Sequence, residues 1–332
     1  DKRTSLDEAV TRLESGMTIG IGGGGAPPKP RAPGRGVPRP EGPAPKDAQP
    51  PRRGLGLAAL GGYAVYSVSA QAEPVHTDEA GLVCETVQLP AADRGVPAYV
   101  ARPDAKGRFP VVVVVCEVFG IHEYIRDTCR RLAKLGYVAI APDFFVRAGD
   151  PSKVSDFNEI RRIVSTASDA QVMGDLSAAL KFLKAQKYVD KGHMAITGFC
   201  WGGAVVWLAC ERLKEFKAGC AWYGRLSSPK PGEFLGEPGR QWPIQLVADL
   251  KAPVLGLYAG KDQGIPQTDV EAMRAALVAN RKTDSSIVVY PESQHGFHAD
   301  YRTSYDPKAA ADGWARMLAH FAANKVKPKP VS

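Results

Sequence analysis

The chain has no Cys-x-x-Cys pair: its six cysteines, at positions 84, 116, 129, 200, 210 and 220, stand apart. That spacing excludes a zinc ribbon and a thioredoxin-like redox motif, and it offers no disulfide framework. The cysteines read instead as mostly buried thiols plus one nucleophile, a pattern less usual for an oxidising compartment. Histidine is scarce too, with six in 332 residues. His295 and His298 could pair on a metal by spacing, but no Cys, Asp or Glu cluster accompanies them. No metal and no cofactor is therefore expected. No apolar run reaches the ~20 residues that a membrane-spanning helix needs. The net charge of +8 is modest, and half of it comes from residues 1–53. The remainder carries no basic block, so nucleic-acid binding is not expected.

What is present divides the chain into three parts. Residues 1–50 hold no candidate core, and Ala26 to Arg53 is dominated by Pro, Gly, Arg and Ala. Such a composition cannot bury enough apolar surface to fold. Residues 1–23 resemble the start of a family I coenzyme A-transferase subunit, and the likeness then stops. A fusion remnant or a misplaced start codon would explain it equally well. Residues 51–72 carry Arg52-Arg53, a short weakly apolar stretch and Ala70-Gln71-Ala72. Those three elements in that order look like a twin-arginine export signal, which predicts a periplasmic enzyme. A disordered linker is the alternative, and the enzyme would then be cytoplasmic. Residues 73–332 have the length of one catalytic domain. The chain is expected to act as a monomer.

Within that domain, short apolar runs alternate with amphipathic stretches. The runs are Phe109 to Val115, Tyr137 to Ala141, His193 to Thr197, Ala218 to Trp222, Val254 to Tyr258 and Ser286 to Tyr290. Continuous apolar character predicts strands covered on both faces. The stretches between them, around 124–135, 170–186, 204–214 and 270–280, predict helices, and a last one is expected over 307–323. The alternation predicts an α/β fold, doubly wound, with a mainly parallel sheet and helices on both faces.

Gly198-Phe199-Cys200-Trp201-Gly202-Gly203 follows the third of these runs. It fits a nucleophile elbow, a strand–turn–helix that lifts one side chain into a pocket. A buried packing cysteine is the plain alternative. Two further candidates follow in the order nucleophile, acid, histidine. Asp262 comes just past the run Val254 to Tyr258, and His295 follows the run ending at Tyr290. Asp262 alone could be a turn residue, and His295 alone a solvated loop histidine. In sequence order after three strands, they predict a triad. Glu117 follows the valine run of residues 111–115 with only Cys116 between, at the end of a buried strand, where a carboxylate is costly unless paired or functional. The amides of Trp201 and Val118 are the expected oxyanion donors.

From Cys116-Glu117-Val118-Phe119-Gly120, Gly136 to Asp143, the Cys200 elbow, Gly260-Lys261-Asp262 and His295-Gly296-Phe297, the chain resembles the dienelactone hydrolase family over about residues 80–323. The resemblance implies an α/β-hydrolase with a Cys200–His295–Asp262 triad that opens a lactone or ester through an acyl-enzyme. It also implies that Glu117 contacts the thiol until a substrate carboxylate displaces it, and then accepts the thiol proton. An esterase or thioesterase of other acyl specificity, or an idle small-ligand scaffold, would share the fold. The family arginine four residues after the histidine is missing, because that position is Ala299. Arg302 is the candidate replacement for it, and Arg161 and Arg162 are candidates for a second family arginine that holds the substrate carboxylate.

Overall fold

The computed structural model describes residues 74–330 apart from 231, 237 and 238. The expected extension over 1–50 and the signal-like segment over 51–72 lie outside the described residues.

Eight strands form one sheet in the order β1-β2-β4-β3-β5-β6-β7-β8. They are β1 (Leu82–Pro90), β2 (Gly95–Pro103), β3 (Phe109–Val115) and β4 (Val138–Pro142). The rest are β5 (Val189–Phe199), β6 (Ala218–Trp222), β7 (Val254–Ala259) and β8 (Ser286–Tyr290). From β4 onward across the sheet every pairing is parallel, while β1 with β2 and β2 with β4 pair antiparallel. All residues of β3, β4, β6 and β7 are buried. A strand in that position needs apolar side chains on both faces, and the valine run of β3 supplies them.

The helices are α1 (Glu123–Lys134), α2 (Phe157–Ser165), α3 (Asp169–Ala185) and α4 (Trp201–Arg212). Then come α5 (Pro243–Leu246), α6 (Gln267–Ala279) and α7 (Pro307–Ala323). Two glycines show the sheet covered from both sides. A Cβ at Gly219 of β6 would lie 2.7 Å from Cys210 Sγ of α4. A Cβ at Gly313 of α7 would lie 2.6 Å from the ring of Trp222, also on β6. Residues 219 and 222 point to opposite faces of a strand, so α4 and α7 pack on opposite faces. The fold is that of an α/β-hydrolase, as expected from the sequence.

Two expectations shift. The elbow helix starts at Trp201, three residues before the amphipathic pattern suggested, because Gly202 and Gly203 are its first turn rather than a loop. β5 starts at Val189, four residues before the expected run, since Val189 already pairs with Phe109 across the polar stretch Asp190-Lys191-Gly192.

Candidate active site

β5 ends at Phe199 and α4 begins at Trp201, which leaves Cys200 alone on the turn. Its backbone stands at φ 54° and ψ −115°. A residue with a Cβ is held in such a conformation at a cost of about 1–3 kcal/mol, and such strain gathers at functional positions. The turn is tied on both sides. Cys200 N donates to Trp222 O at 3.0 Å, and Gly203 N donates to Cys200 O at 2.9 Å. A Cβ at Gly198 would sit 2.4 Å from Gly202 O, and one at Gly202 would sit 2.5 Å from Val115 O. Glycine at these two places lets β3, β5 and α4 approach closely enough to form the turn.

Asp262 lies in the loop past β7, and His295 in the loop past β8. Asp262 Oδ2 is 2.7 Å from His295 Nδ1. Asp262 Oδ1 accepts from Gly264 N at 2.8 Å and Ile265 N at 3.1 Å. One oxygen of Asp262 thus fixes the turn and the other fixes the histidine. An ionised Asp262 places the imidazole proton on Nδ1 and leaves Nε2 for chemistry. Burial pulls the His295 pKa down, but the Asp262 charge, and after it the Cys200 sulfur, raise it to about 10. Cys200, His295 and Asp262 are therefore one electrostatic unit at the carboxyl ends of β5, β7 and β8.

Glu117 is fully buried in the turn after β3. It does not engage the thiol as expected. Its Oε1 accepts from Arg302 at 2.9 Å, its Oε2 accepts from the Tyr301 hydroxyl, and His122 Nε2 stands 3.7 Å away. Burial would raise its pKa, but Arg302 and His122, then Tyr301, outweigh that and hold the carboxyl down at about 2. The physical reason for the correction is plain. A guanidinium is within reach, and its charge and fork of donors satisfy a buried carboxylate far better than the cysteine sulfur does. Arg302 is also close enough to Cys200 for the sulfur to stabilise its charge.

The remaining candidates separate. Arg302 is in the site but committed to Glu117. Arg162 forms an exposed pair with Glu159 at 2.7 Å. Arg161 lies over the Phe234 ring, 5.2 Å from its centre. His298 turns into the core, where its Nδ1 is 2.6 Å from the Tyr124 hydroxyl and its ring lies 4.4 Å from that of Trp222. Burial lowers its pKa to about 3, so it is neutral. Trp201 heads α4, where the first amides have no acceptor within the helix. Val118 follows Glu117 in the turn after β3.

The sequence reading missed Tyr301, His122 and Tyr223. Tyr223 has φ 37° and its ring meets that of His295 edge-on at 5.1 Å. A signal for Tyr301 lay in its position beside the candidate Arg302. His122 and Tyr223 gave none.

A strained cysteine between strand and helix, with a carboxylate and a histidine on later loops of a mainly parallel sheet, fits an α/β-hydrolase. The chain belongs to the dienelactone hydrolase family, whose model matches residues 96–324, and it is a hydrolase of the carboxylic ester kind. A protein of Methylorubrum extorquens named "Putative carboxymethylenebutenolidase" is 48% identical over 262 residues, covering 79% of this chain and 88% of that one. A "Probable 2-oxo-3-(5-oxofuran-2-ylidene)propanoate lactonase" of Bradyrhizobium is 30% identical over 242 residues, covering 71% of this chain and 95% of that one. The crystal structure of a "Putative Dienelactone Hydrolase" from Klebsiella pneumoniae superposes with a TM-score of 0.67 at 46% identity. It covers 73% of this chain and 98% of that one.

Proposed function

We propose that the protein hydrolyses a lactone or ester through Cys200, with His295 and Asp262 completing a triad. One observation carries this reading. Cys200 stands on a strained turn beside a histidine whose other nitrogen is held by a buried carboxylate at 2.7 Å. The sulfur attacks the carbonyl carbon, and the oxyanion forms toward the amides of Trp201 and Val118. Losing one such donor typically costs ~3 kcal/mol. Collapse breaks the carbonyl carbon–oxygen bond, and His295 returns the thiol proton to the departing oxygen. In a lactone that oxygen stays tethered to the acyl-enzyme. Acylation also removes the sulfur charge that helps to raise the His295 pKa. The imidazole then becomes a base able to take a proton from water, and the water attacks the thioester to release the acid.

Glu117 remains ionised throughout and acts by fixing Arg302 and Tyr301 beside the nucleophile. The lactone named for the Bradyrhizobium relative supports a small lactone as substrate here. The test is dienelactone hydrolysis followed by ultraviolet absorbance, with the full chain and its Cys200→Ala variant. Turnover by wild type alone supports the reading, and equal turnover by the variant refutes it. A folded wild type that spares dienelactone but cleaves simple esters or thioesters in a Cys200-dependent way keeps the mechanism and changes the substrate.

We further propose that residues 51–72 direct export to the periplasm. The order of Arg52-Arg53, apolar stretch and Ala70-Gln71-Ala72 supports this. Fractionation of cells carrying the chain with both arginines changed to lysine tests it, since the enzyme should then stay inside.

A further inference from the structure

The loop that carries His295 holds a second histidine that the mechanism above does not use. His298 comes three residues after His295 and four before Arg302, and it is buried. Its ring packs against the elbow. It stacks on Phe199, the residue before Cys200, with ring centres 5.2 Å apart. It also meets Trp222 at 4.4 Å, and the Trp222 carbonyl accepts the Cys200 amide at 3.0 Å. Trp314 of α7 stacks on it at 5.7 Å. The neighbour of Cys200 in the chain and its hydrogen-bond partner on β6 therefore both rest on this one ring.

One polar bond joins this packing to α1. His298 Nδ1 is 2.6 Å from the Tyr124 hydroxyl. Burial pushes the Tyr124 pKa well above its usual value, so the phenol keeps its proton. Burial, and after it the Arg131 charge, hold His298 neutral. The hydroxyl therefore donates and Nδ1 accepts, which leaves the ring proton on Nε2. The Tyr124 ring meets Phe199 edge-on at 5.4 Å and Tyr301 at 5.5 Å. A second tie joins the same loop and helix, where Arg131 donates to Asp300 Oδ2 at 3.2 Å. Packing alone does not call for the Tyr124 bond. Apolar side chains at 124 and 298 would fill similar space, and replacing both partners of a buried hydrogen bond in that way is close to neutral for stability. What the bond adds is direction, because it fixes a distance and an angle where apolar contact tolerates sliding.

We infer that His298 is a positioning residue: held by Tyr124, it sets the histidine loop against the elbow, and with it the place of His295 relative to Cys200. This rests on the reading of Cys200 as nucleophile. The loop has three anchors. Asp262 holds the His295 side chain at 2.7 Å, and Glu117 holds that of Arg302 at 2.9 Å. His298 lies between them and is the one that touches the residues framing Cys200. A loop that slides at 298 carries the base away from the thiol, and a misplacement of about 1 Å can cost about 10²-fold in rate.

Hydrolysis of 4-nitrophenyl butyrate by the full chain and its variants tests the inference. Tyr124→Phe deletes one oxygen and keeps every ring contact. It should lower kcat about tenfold or more, with KM little changed. His298→Asn, whose side-chain oxygen takes over as acceptor, should keep more of kcat than His298→Leu. Adding Tyr124→Phe to His298→Leu should cost nothing further, because the bond is already gone. Alkylation of Cys200 by iodoacetamide, located by peptide mass mapping, reads the thiol itself. Its pH midpoint should rise in Tyr124→Phe and in His298→Leu, since a displaced His295 supports the thiolate less well. A structural role alone would lower the melting temperature and leave that midpoint in place. Wild-type kcat and midpoint in Tyr124→Phe, or full additivity in the double variant, overturn the inference. If wild type neither cleaves the ester nor alkylates at Cys200 faster than a free thiol, the nucleophile reading fails. Proton NMR then still decides His298. The downfield signal of His295 Nδ1–H, assigned by its loss in Asp262→Asn, should shift in His298→Leu, and an unmoved signal refutes the positioning role.

Discussion

The Glu117–Arg302 pair sets a test whose size follows from the structure. Glu117 is fully buried, and Arg302 is 10% exposed, so solvent screens neither well. The fall of the Glu117 pKa from 4.5 to about 2 corresponds to about 3 kcal/mol of favourable interaction with its partners, at about 1.4 kcal/mol per pH unit. Arg302→Met removes the chief partner and leaves a buried charge facing a tyrosine and a histidine. Such a break costs about 3–5 kcal/mol. Removing both charges, in Glu117→Gln with Arg302→Met, should recover most of that loss. Urea unfolding at pH 7 of wild type, both single variants and the double variant closes the cycle. The pH dependence has a definite sign. A carboxyl with a depressed pKa adds stability that is present above its unfolded value of 4.5 and is lost as pH falls through about 2. That acid-side term should vanish in Glu117→Gln. A cost below about 1 kcal/mol for Arg302→Met, or a double variant equal to the sum of the singles, would refute the reasoning.

Asp262→Asn should lower kcat by about 10³–10⁴, as loss of the orienting carboxylate does in a comparable triad. It should also move the basic limb of the pH–rate profile downward, because Asp262 is the leading cause that raises His295. An effect on KM alone would argue for substrate contact instead. Cys200→Ser should keep the fold and lose most turnover, because His295 cannot ionise a far less acidic hydroxyl as readily; full activity in an ester assay would exclude the thiolate route. Glu211 of α4 is buried with neither carboxyl oxygen hydrogen-bonded, and burial pushes its pKa up from 4.5 to about 8. A raised pKa adds stability that is complete below 4.5 and is lost as pH rises through 8. Wild type should therefore lose about 4–5 kcal/mol more than Glu211→Gln between those limits. Parallel unfolding curves at pH 5, 7 and 9 would show the difference, and identical pH slopes would remove Glu211 from the account.

Much of the fold was legible because the parallel strands are buried on both faces. β3 reads Phe-Pro-Val-Val-Val-Val-Val and β6 reads Ala-Gly-Cys-Ala-Trp, with no alternation to confuse the period. The antiparallel pair β1 and β2 was missed. Its pairing runs from Leu82 opposite Pro103 to Pro90 opposite Gly95, and the prolines at 90, 97 and 103 argue against strand in a local reading. Tertiary pairing with β4 overrides that signal. The nine residues of α2 were also missed, although Phe157, Ile160, Ile163 and Val164 recur at helical spacing behind the Asp156 cap.

The meeting of Cys200, Asp262 and His295 was legible for a different reason: each follows a strand, so chain order carried the spatial information. The company kept by Glu117 was not. Its partners come from two loops, with His122 five residues on and Tyr301 and Arg302 about 185 residues on. No local pattern encodes which of two nearby groups, a thiol or a guanidinium, a buried carboxylate will choose. Electrostatics decides, and in this chain it decides for Arg302. The consequence reaches the substrate. With Ala299 in place of an arginine and Arg302 spent on Glu117, the histidine loop offers no uncommitted cation at either position.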